Sequence, residues 1–435
     1  MYINITRKKG SSDMKKKMAA ITAVVLAVSM ALSGCAGSQK KKSSTSKTEK
    51  AQKESGTVEL TLWGGAEEDQ ALLAEIVDSF KKEYADQADF DITIEAESEA
   101  SCKDALLGDV LNGADVFAFA DDQLLSLAAA GALVPVDNAD EVKSANLEEA
   151  VAAASVNDTL YAYPMTADNG YLMYYDKSVF SDADVASLDQ MLNVAAAANK
   201  KVVMDWSSGW YLYSFFGNTG LNLSLNDDGI SMSCDWNSTE GNIKGVDIAQ
   251  AMLAIAANPG FANMVDADFV EGAKNGTVAA GISGAWDVST LKEAWGDNFG
   301  AVKLPTYTCA GQQVQMASFK GYKMVGVNAY SKHTDWALKL ADWITNEQNQ
   351  KLRFEEREQG PCNNNEAASD EVKNSPAIQA LTAQSEYAVL QRVGNNYWNP
   401  ISELGSTLAA GNPDGTDLQK LMDNTVKAIT ASVGQ

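Results

Sequence analysis

Histidine is nearly absent from this chain: there is one, His333, in 435 residues. A Ser-His-Asp or Cys-His mechanism, or a histidine-based metal centre, would have to rest on that single side chain. It sits in Ser331-Lys332-His333-Thr334-Asp335, a polar loop ahead of an amphipathic stretch, and reads as a solvated helix start. Most hydrolase chemistry is set aside on this ground. Cysteine is scarce as well. Beyond Cys35 there are Cys102, Cys234, Cys309 and Cys362, none in a Cys-x-x-Cys or other metal-ligand spacing, so no metal and no cofactor is expected. Their even number permits one or two disulfides without fixing a pairing. Basic charge is lacking over most of the chain. Residues 1–56 hold 12 of the 34 Lys and Arg and only 3 of the 58 Asp and Glu, leaving residues 57–435 with a net charge of −33. Such a surface repels phosphate backbones, which excludes nucleic acid as a partner.

The apolar run Ala19–Leu32 has 14 residues, too few to cross a ~30 Å hydrocarbon core, which takes about 20. Preceded by Lys15-Lys16-Lys17 and followed by Ser33-Gly34-Cys35, it has the basic, apolar and small-residue parts of an export signal over 1–34. Leu32-Ser33-Gly34-Cys35 resembles the lipobox of bacterial lipoproteins. That resemblance implies acylation of Cys35, cleavage just before it, and attachment to the outer face of the cell membrane by buried acyl chains. Residues 35–56 are polar and mildly basic, with six Lys and two Glu between 36 and 56. They cannot offset their ordering entropy and read as a flexible tether near an anionic surface.

The remaining residues, from 57 to 435, suffice for two lobes with their own cores. Val58-Glu59-Leu60-Thr61-Leu62-Trp63 alternates apolar and polar, which predicts a strand. Gly64-Gly65 ends it, and Leu72, Leu73, Ile76, Val77 and Phe80 recur at helical spacing up to Lys81-Lys82. A strand at 90–94, a helix over 104–111 and a strand at 114–119 complete a β-α-β-α-β order, the pattern of a doubly wound α/β lobe. Ligands bind such sheets beyond the carboxyl ends of the strands, which points to the segments after Trp63 and after Phe119. Further strands are expected at 160–165, 171–175, 201–204, 276–283 and 322–327. Helices are expected over 188–198 and 335–353 and from about 374 onward. Trp336 and Trp343, seven apart on the 335–353 helix, read as core or face residues. Asn226–Gly229 and Asn412–Gly415 read as turns.

Five landmarks in order along the chain then resemble the extracellular solute-binding proteins of ABC sugar importers, in particular the maltose/maltodextrin-binding group. They are Leu60-Thr61-Leu62-Trp63-Gly64; Ala114-Asp115-Val116-Phe117 leading to Asp121-Asp122-Gln123; and Tyr161-Ala162-Tyr163-Pro164-Met165 followed by Tyr171 to Lys177. Gly281-Ile282-Ser283-Gly284-Ala285-Trp286 and Lys303-Leu304-Pro305-Thr306 complete the set. The resemblance implies an α/β, two-lobed periplasmic-binding-protein fold with a ligand cleft between the lobes and two or three hinge crossovers. Lobe one would comprise 57–166 and 308–360, lobe two 167–307 and 361–435, with hinges near Thr166, Leu304 and Pro361.

A sugar has an apolar C–H face for aromatic rings and a hydroxyl rim for carboxylates and amides. By the resemblance, Glu67, Glu68, Asp122 and Gln123 fall on positions that contact sugar hydroxyls; some relatives have a basic residue where Glu68 and Gln123 stand. Asp168 falls on the acidic position of the first crossover, with Asn169 beside it. Tyr211, Trp286 and Trp398 line up with stacking residues, and Trp63, Phe119 and Trp210 are neighbouring candidates. Two of these sets have a plainer reading: Trp210 and Tyr211 as the start of a packed helix, Glu67-Glu68-Asp69 as an acidic helix start.

The expectation is a monomeric, lipid-anchored binding protein, not an enzyme. It would capture oligosaccharides, malto-oligosaccharides first, and deliver them to the transmembrane subunits of an ABC permease. Xylo-, galacto- or raffinose-type cargo is the alternative, and a surface glycoside hydrolase or an adhesion lipoprotein the rival class.

Overall fold

The computed structural model describes residues 53–65, 69–226 and 230–432. The export signal, Cys35, most of the tether, Glu67, Glu68 and the turn residues 227–229 lie outside the described residues. Lys53–Gly56, expected to belong to the tether, are docked. The Glu54 backbone N–H donates to Gln87 O at 2.8 Å, and the Glu54 carboxylate accepts the Trp336 indole N–H at 2.6 Å.

Ten strands build two five-stranded sheets. In chain order they are β1 (Thr57–Trp63), β2 (Asp89–Glu95), β3 (Val116–Ala120), β4 (Tyr163–Thr166), β5 (Tyr171–Asp176), β6 (Lys201–Met204), β7 (Phe261–Asn263), β8 (Val278–Gly284), β9 (Phe299–Val302) and β10 (Lys323–Val327). The first sheet has the order β2-β1-β3-β10-β4, the second β7-β6-β8-β5-β9. In each, three strands are parallel and the last two alternate in direction. Each has its own apolar core. Leu60, Leu62, Ile76, Phe80, Phe117, Phe119 and Val325 pack in the first; Met173, Met191, Val202, Trp206, Phe215 and Ile282 pack in the second. These are the two lobes.

Registry brings the functional ends together. Antiparallel pairing sets Lys323, at the start of β10, against Ala120 at the end of β3 and Thr166 at the end of β4. In the second sheet Gly284, at the end of β8, faces Tyr171 at the start of β5. The carboxyl ends of the parallel strands, where doubly wound sheets place ligands, therefore meet the starts of β10 and β5.

One crossover runs between Thr166 and Tyr171, beside Gly360-Pro361: Ala167 N–H donates to Gly360 O at 2.8 Å. The second return comes later than the expected position near Leu304. Leu304, Tyr307, Met316 and Phe319 all pack in the second core, so the chain re-enters the first lobe at Lys320–Lys323, not at 308. The third comes later than Pro361, because Cys362 is buried in the first core and Ala377 and Ala380 pack with strands of the second sheet. The helix expected over 335–353 is two helices, Thr334–Thr345 and Glu347–Arg357. Asn346 separates them, its side chain accepting the Asn349 N–H and so capping the second. His333 is the residue just before the first of these, as a helix-start residue should be. Trp336 and Trp343 pack edge-on against Phe80. The four described cysteines are all free thiols.

Candidate functional site

The site is built where the two sheets' edges meet. On the first lobe, β3 is buried throughout and runs directly into Asp121-Asp122-Gln123. Asp121 Oδ1 accepts the Tyr322 N–H at 3.0 Å, and Asp121 Oδ2 accepts from Arg392 Nη1 at 2.7 Å. Gly321 is required beside it, because a Cβ there would collide with Asp121 Oδ1. Burial raises the Asp121 pKa, and the Arg392 guanidinium works against that rise. Asp122 is pushed up to about 7, first by burial and then by Asp121, with the Gln391 amide and Arg392 pulling the other way.

Lys323 stands in the middle of this edge, 3.5 Å from Glu99 Oε1. Burial alone would lower its pKa, but Glu99, Asp168 and Asp69 outweigh burial and hold it above the usual value. Its ammonium lies 5.5 Å from the Trp286 ring centroid on the opposite lobe, a cation–π distance. Asp69, at the start of the helix Gln70–Glu83, pairs with Arg357 at 3.1 Å. At the crossover, Asp168 is buried and Oδ2 accepts the Gly360 N–H at 2.6 Å, tying the two crossing segments together. Asn169 is buried beside Gly321.

The second lobe supplies the rings. The helix Gly209–Phe216 starts with Trp210 and Tyr211, and it is indeed a packed helix. Its two rings part company, however. Tyr211 is buried; its ring meets Tyr171 at 5.2 Å and its hydroxyl donates to the Asp266 carboxylate at 2.9 Å. Trp210 stays half-buried and stacks on Trp286, with centroids 5.4 Å apart and planes 29° from parallel. The Trp286 indole N–H donates to Asp266 Oδ2 at 3.2 Å, so one carboxylate holds two of the three rings. The ring lies so close over Gly284 that any Cβ there would overlap it. The Trp210 indole N–H donates to Gln391 Oε1 at 2.7 Å.

The structure thus brings Asp122, Asp168, Asn169, Trp210, Tyr211 and Trp286 together. Four other candidates make different contacts. Phe119 is fully buried in the first core and packs on Phe117; strand alternation cannot separate a lining ring from a core ring when both faces of the sheet are covered. Gln123 engages both ends of its amide with the loop 99–103, donating to Glu99 O and accepting the Lys103 N–H, so it braces that loop. Trp63 turns toward β2, its indole N–H donating to Glu95 Oε2 at 2.8 Å. Trp398 opens the helix Trp398–Ala409 and packs on Tyr397. Sequence reasoning missed Asp121, Asp266, Lys323, Gln391 and Arg392. A signal existed for Lys323, a lone cation opening an otherwise apolar strand directly after Gly321-Tyr322. Asp266 looks like any acidic helix start, and Gln391-Arg392 lie in a stretch without periodicity.

The family model described as bacterial extracellular solute-binding protein matches residues 75–380. A galactooligosaccharide-binding protein of Bacillus subtilis (strain 168) is 25% identical over 420 residues, covering 92% of this chain and 94% of the relative. A maltooligosaccharide ABC transporter solute-binding lipoprotein of Streptococcus pneumoniae (strain ATCC BAA-255 / R6) is 23% identical over 376 residues, covering 81% and 86%. Among solved structures, a chain determined with acarbose superposes with a TM-score of 0.75 at 29% identity, over 86% of this chain and 99% of that one. The family model's match over well more than half of the chain and the shared two-lobed α/β fold give one conclusion: this chain belongs to the bacterial extracellular solute-binding proteins.

Proposed function

We propose that this protein is a lipid-anchored receptor that captures oligosaccharides, malto-oligosaccharides in the first place, and hands them to an ABC permease without performing chemistry on them. One observation carries the reading. A stacked pair of half-buried indoles, Trp210 and Trp286, faces a row of carboxylates and amides across the junction of two lobes. Rings for the C–H faces of a sugar and charged acceptors for its hydroxyls are what an oligosaccharide cleft requires, each such hydrogen bond being worth roughly 1.5–3 kcal/mol. The pneumococcal relative, a maltooligosaccharide-binding lipoprotein by name, and the likeness to a chain solved with acarbose support the cargo.

In this reading Trp210 and Trp286 stack on the sugar, Tyr211 supports them from behind, and Asp122, Asp168 and Asn169 serve hydroxyls. Glu67 and Glu68, which follow β1 in the sequence, are proposed to reach the same cleft. Trp63 and Trp398 are proposed for its outer ends, Phe119 acts through packing, and Gln123 acts by bracing the 99–103 loop. Closure turns the lobes about the crossovers at 166–171, 320–323 and the stretch after Asn363. Three of the site's carboxylates already hold protein partners: Asp266 two rings, Asp121 the Arg392 guanidinium, and Asp168, through Oδ2, the Gly360 N–H. None of these three is hydrogen-bonded to a second carboxyl among the described residues, and their commitments favour binding over the acid and base roles of glycoside hydrolysis. A monomer tethered through acylated Cys35 would reach both solute and permease.

Isothermal titration calorimetry against malto-, galacto-, xylo- and raffinose-type oligosaccharides tests the cargo. Binding of the malto-series with the others inert is expected. The Bacillus relative gives the galacto-series its own support, and heat with that series alone would move the assignment there. No heat with any sugar would refute the class. Cys35→Ala is expected to release the protein from the membrane fraction into the medium; retention would refute the anchor.

A further inference from the structure

Between the short strand Ala388–Leu390 and the helix Trp398–Ala409 runs a segment, mostly without regular structure, that belongs to the second lobe. Gly394 N–H donates to Met232 Sδ at 3.0 Å, and Val393 packs against the second core. Three side chains of this one segment nevertheless reach first-lobe residues. Arg392 Nη1 donates to Asp121 Oδ2 at 2.7 Å, and the side chain of Asp121 has no solvent exposure. Asn395 Oδ1 accepts from Lys103 Nζ at 3.4 Å. The Gln391 amide faces Asp122, while its Oε1 accepts the Trp210 indole N–H.

We propose that Gln391, Arg392 and Asn395 form a clasp that holds the lobes together and, through Gln391, positions Trp210 for the bound oligosaccharide. Asp121 is a carboxylate out of water whose counter-charge comes from the other lobe, so separating the lobes takes that counter-charge away and leaves only the Tyr322 N–H of its own side. Breaking a buried pair is far costlier than breaking an exposed one. Gln391 carries the coupling, since its amide holds the second lobe's stacking ring and faces the first lobe's Asp122, next to the Asp121 that Arg392 grips. Opening the clasp therefore frees the Trp210 indole N–H and loosens the ring platform in the same motion. Arg392 and Asn395 act on lobe closure, and Gln391 is a positioning residue. The oligosaccharide part rests on the proposed function; the clasp itself does not.

The test uses the full-length protein, with stopped-flow tryptophan fluorescence for maltotetraose and amide hydrogen exchange for closure. Arg392→Gln is expected to raise the dissociation rate about tenfold or more, the loss of a charge-assisted hydrogen bond. The association rate should stay within about twofold, as clasping follows encounter. Arg392→Lys should recover part of the loss. Gln391→Leu should add a shift in tryptophan emission that Asn395→Ala lacks. Exchange at 121–124 should quicken in Arg392→Gln whether or not sugar is present. Asn395→Ala, at an exposed position, gives the same direction with a smaller effect if Arg392→Gln folds poorly. If the wild type ignores maltotetraose but exchange at 121–124 still quickens, the clasp stands and the cargo reading falls. Unchanged dissociation and unchanged exchange in Arg392→Gln and Asn395→Ala would overturn the clasp.

Discussion

Replacing Gly284 by alanine tests the ring platform without touching a polar group. Gly284 has φ −83° and ψ 177°, a conformation any residue adopts, so the methyl brings no backbone strain. Its whole effect is steric: it would occupy space held by the six-membered ring of Trp286. The ring must move, because the other side of the contact is strand β8, which is buried throughout. Moving it gives up two interactions. The indole hydrogen bond to Asp266, at 3.2 Å to a charged acceptor, is worth about 1.5 kcal/mol. The stack on Trp210, at 5.4 Å and 29°, is worth about 1 kcal/mol beyond area burial. Since the ring can keep part of each by tilting, about 2 kcal/mol is expected to appear in binding, or about thirtyfold in Kd. The assay is calorimetric titration with the sugar that binds the wild type, alongside a urea unfolding curve. The same two interactions hold the folded chain without sugar, so the urea curve should lose up to about 2 kcal/mol as well, partly offset by burial of the added methyl. A variant whose Kd stays within about threefold of the wild type would refute the claim that Trp286 must lie over Gly284 to bind.

Three further outcomes follow from the same geometry. Asp122 titrates near 7 in the folded chain against an ordinary 3.8, with Asp121, Arg392 and Gln391 facing it. Between about pH 4 and 7 the native state therefore holds a proton that the unfolded chain has released, and stability falls as pH rises through that window. Asp122→Asn removes this term, so its stability relative to wild type should increase from pH 4 to pH 8 in thermal unfolding; a pH-independent difference would refute the shift. Phe119→Ala should lower unfolding free energy by about 3–5 kcal/mol while leaving the sugar affinity of the folded protein nearly unchanged, whereas a selective loss of affinity would return Phe119 to the cleft. Asn346→Ala should cost about 1 kcal/mol through the lost cap on Glu347–Arg357, the helix carrying Arg353 and Arg357, and an unchanged urea midpoint would refute that cap.

Most of the local architecture was legible from periodicity. The alternation in Val58–Trp63 and the helical spacing of Leu72 to Phe80 were realised as Thr57–Trp63 and Gln70–Glu83. Where the reading failed, a long-range or side-chain effect decided. Asn346 ended a helix that hydrophobic spacing would have continued, because its side chain caps the next one. The segment 306–319 follows the second core through Tyr307, Met316 and Phe319, a packing choice that no local pattern announces. Lys53–Gly56 looked like tether because composition does not reveal that the Glu54 carboxylate meets the Trp336 indole, 282 residues away.

The amino-acid sequence by itself determined the class of molecule. One histidine, four cysteines beyond Cys35 without metal spacing and a strongly acidic main part narrow the available chemistries, because composition limits what any fold could assemble. It also determined the strands and helices, since those depend on neighbours within a few residues. Only the tertiary structure decided which aromatic and acidic residues meet. Trp210 and Tyr211 are adjacent in the chain, yet one ring stacks at the lobe junction and the other is buried behind it. Asp121 and Arg392 are 271 positions apart and form one ion pair. Such pairings are set by sheet order and by the return of the chain between lobes, and these depend on contacts that span the whole sequence.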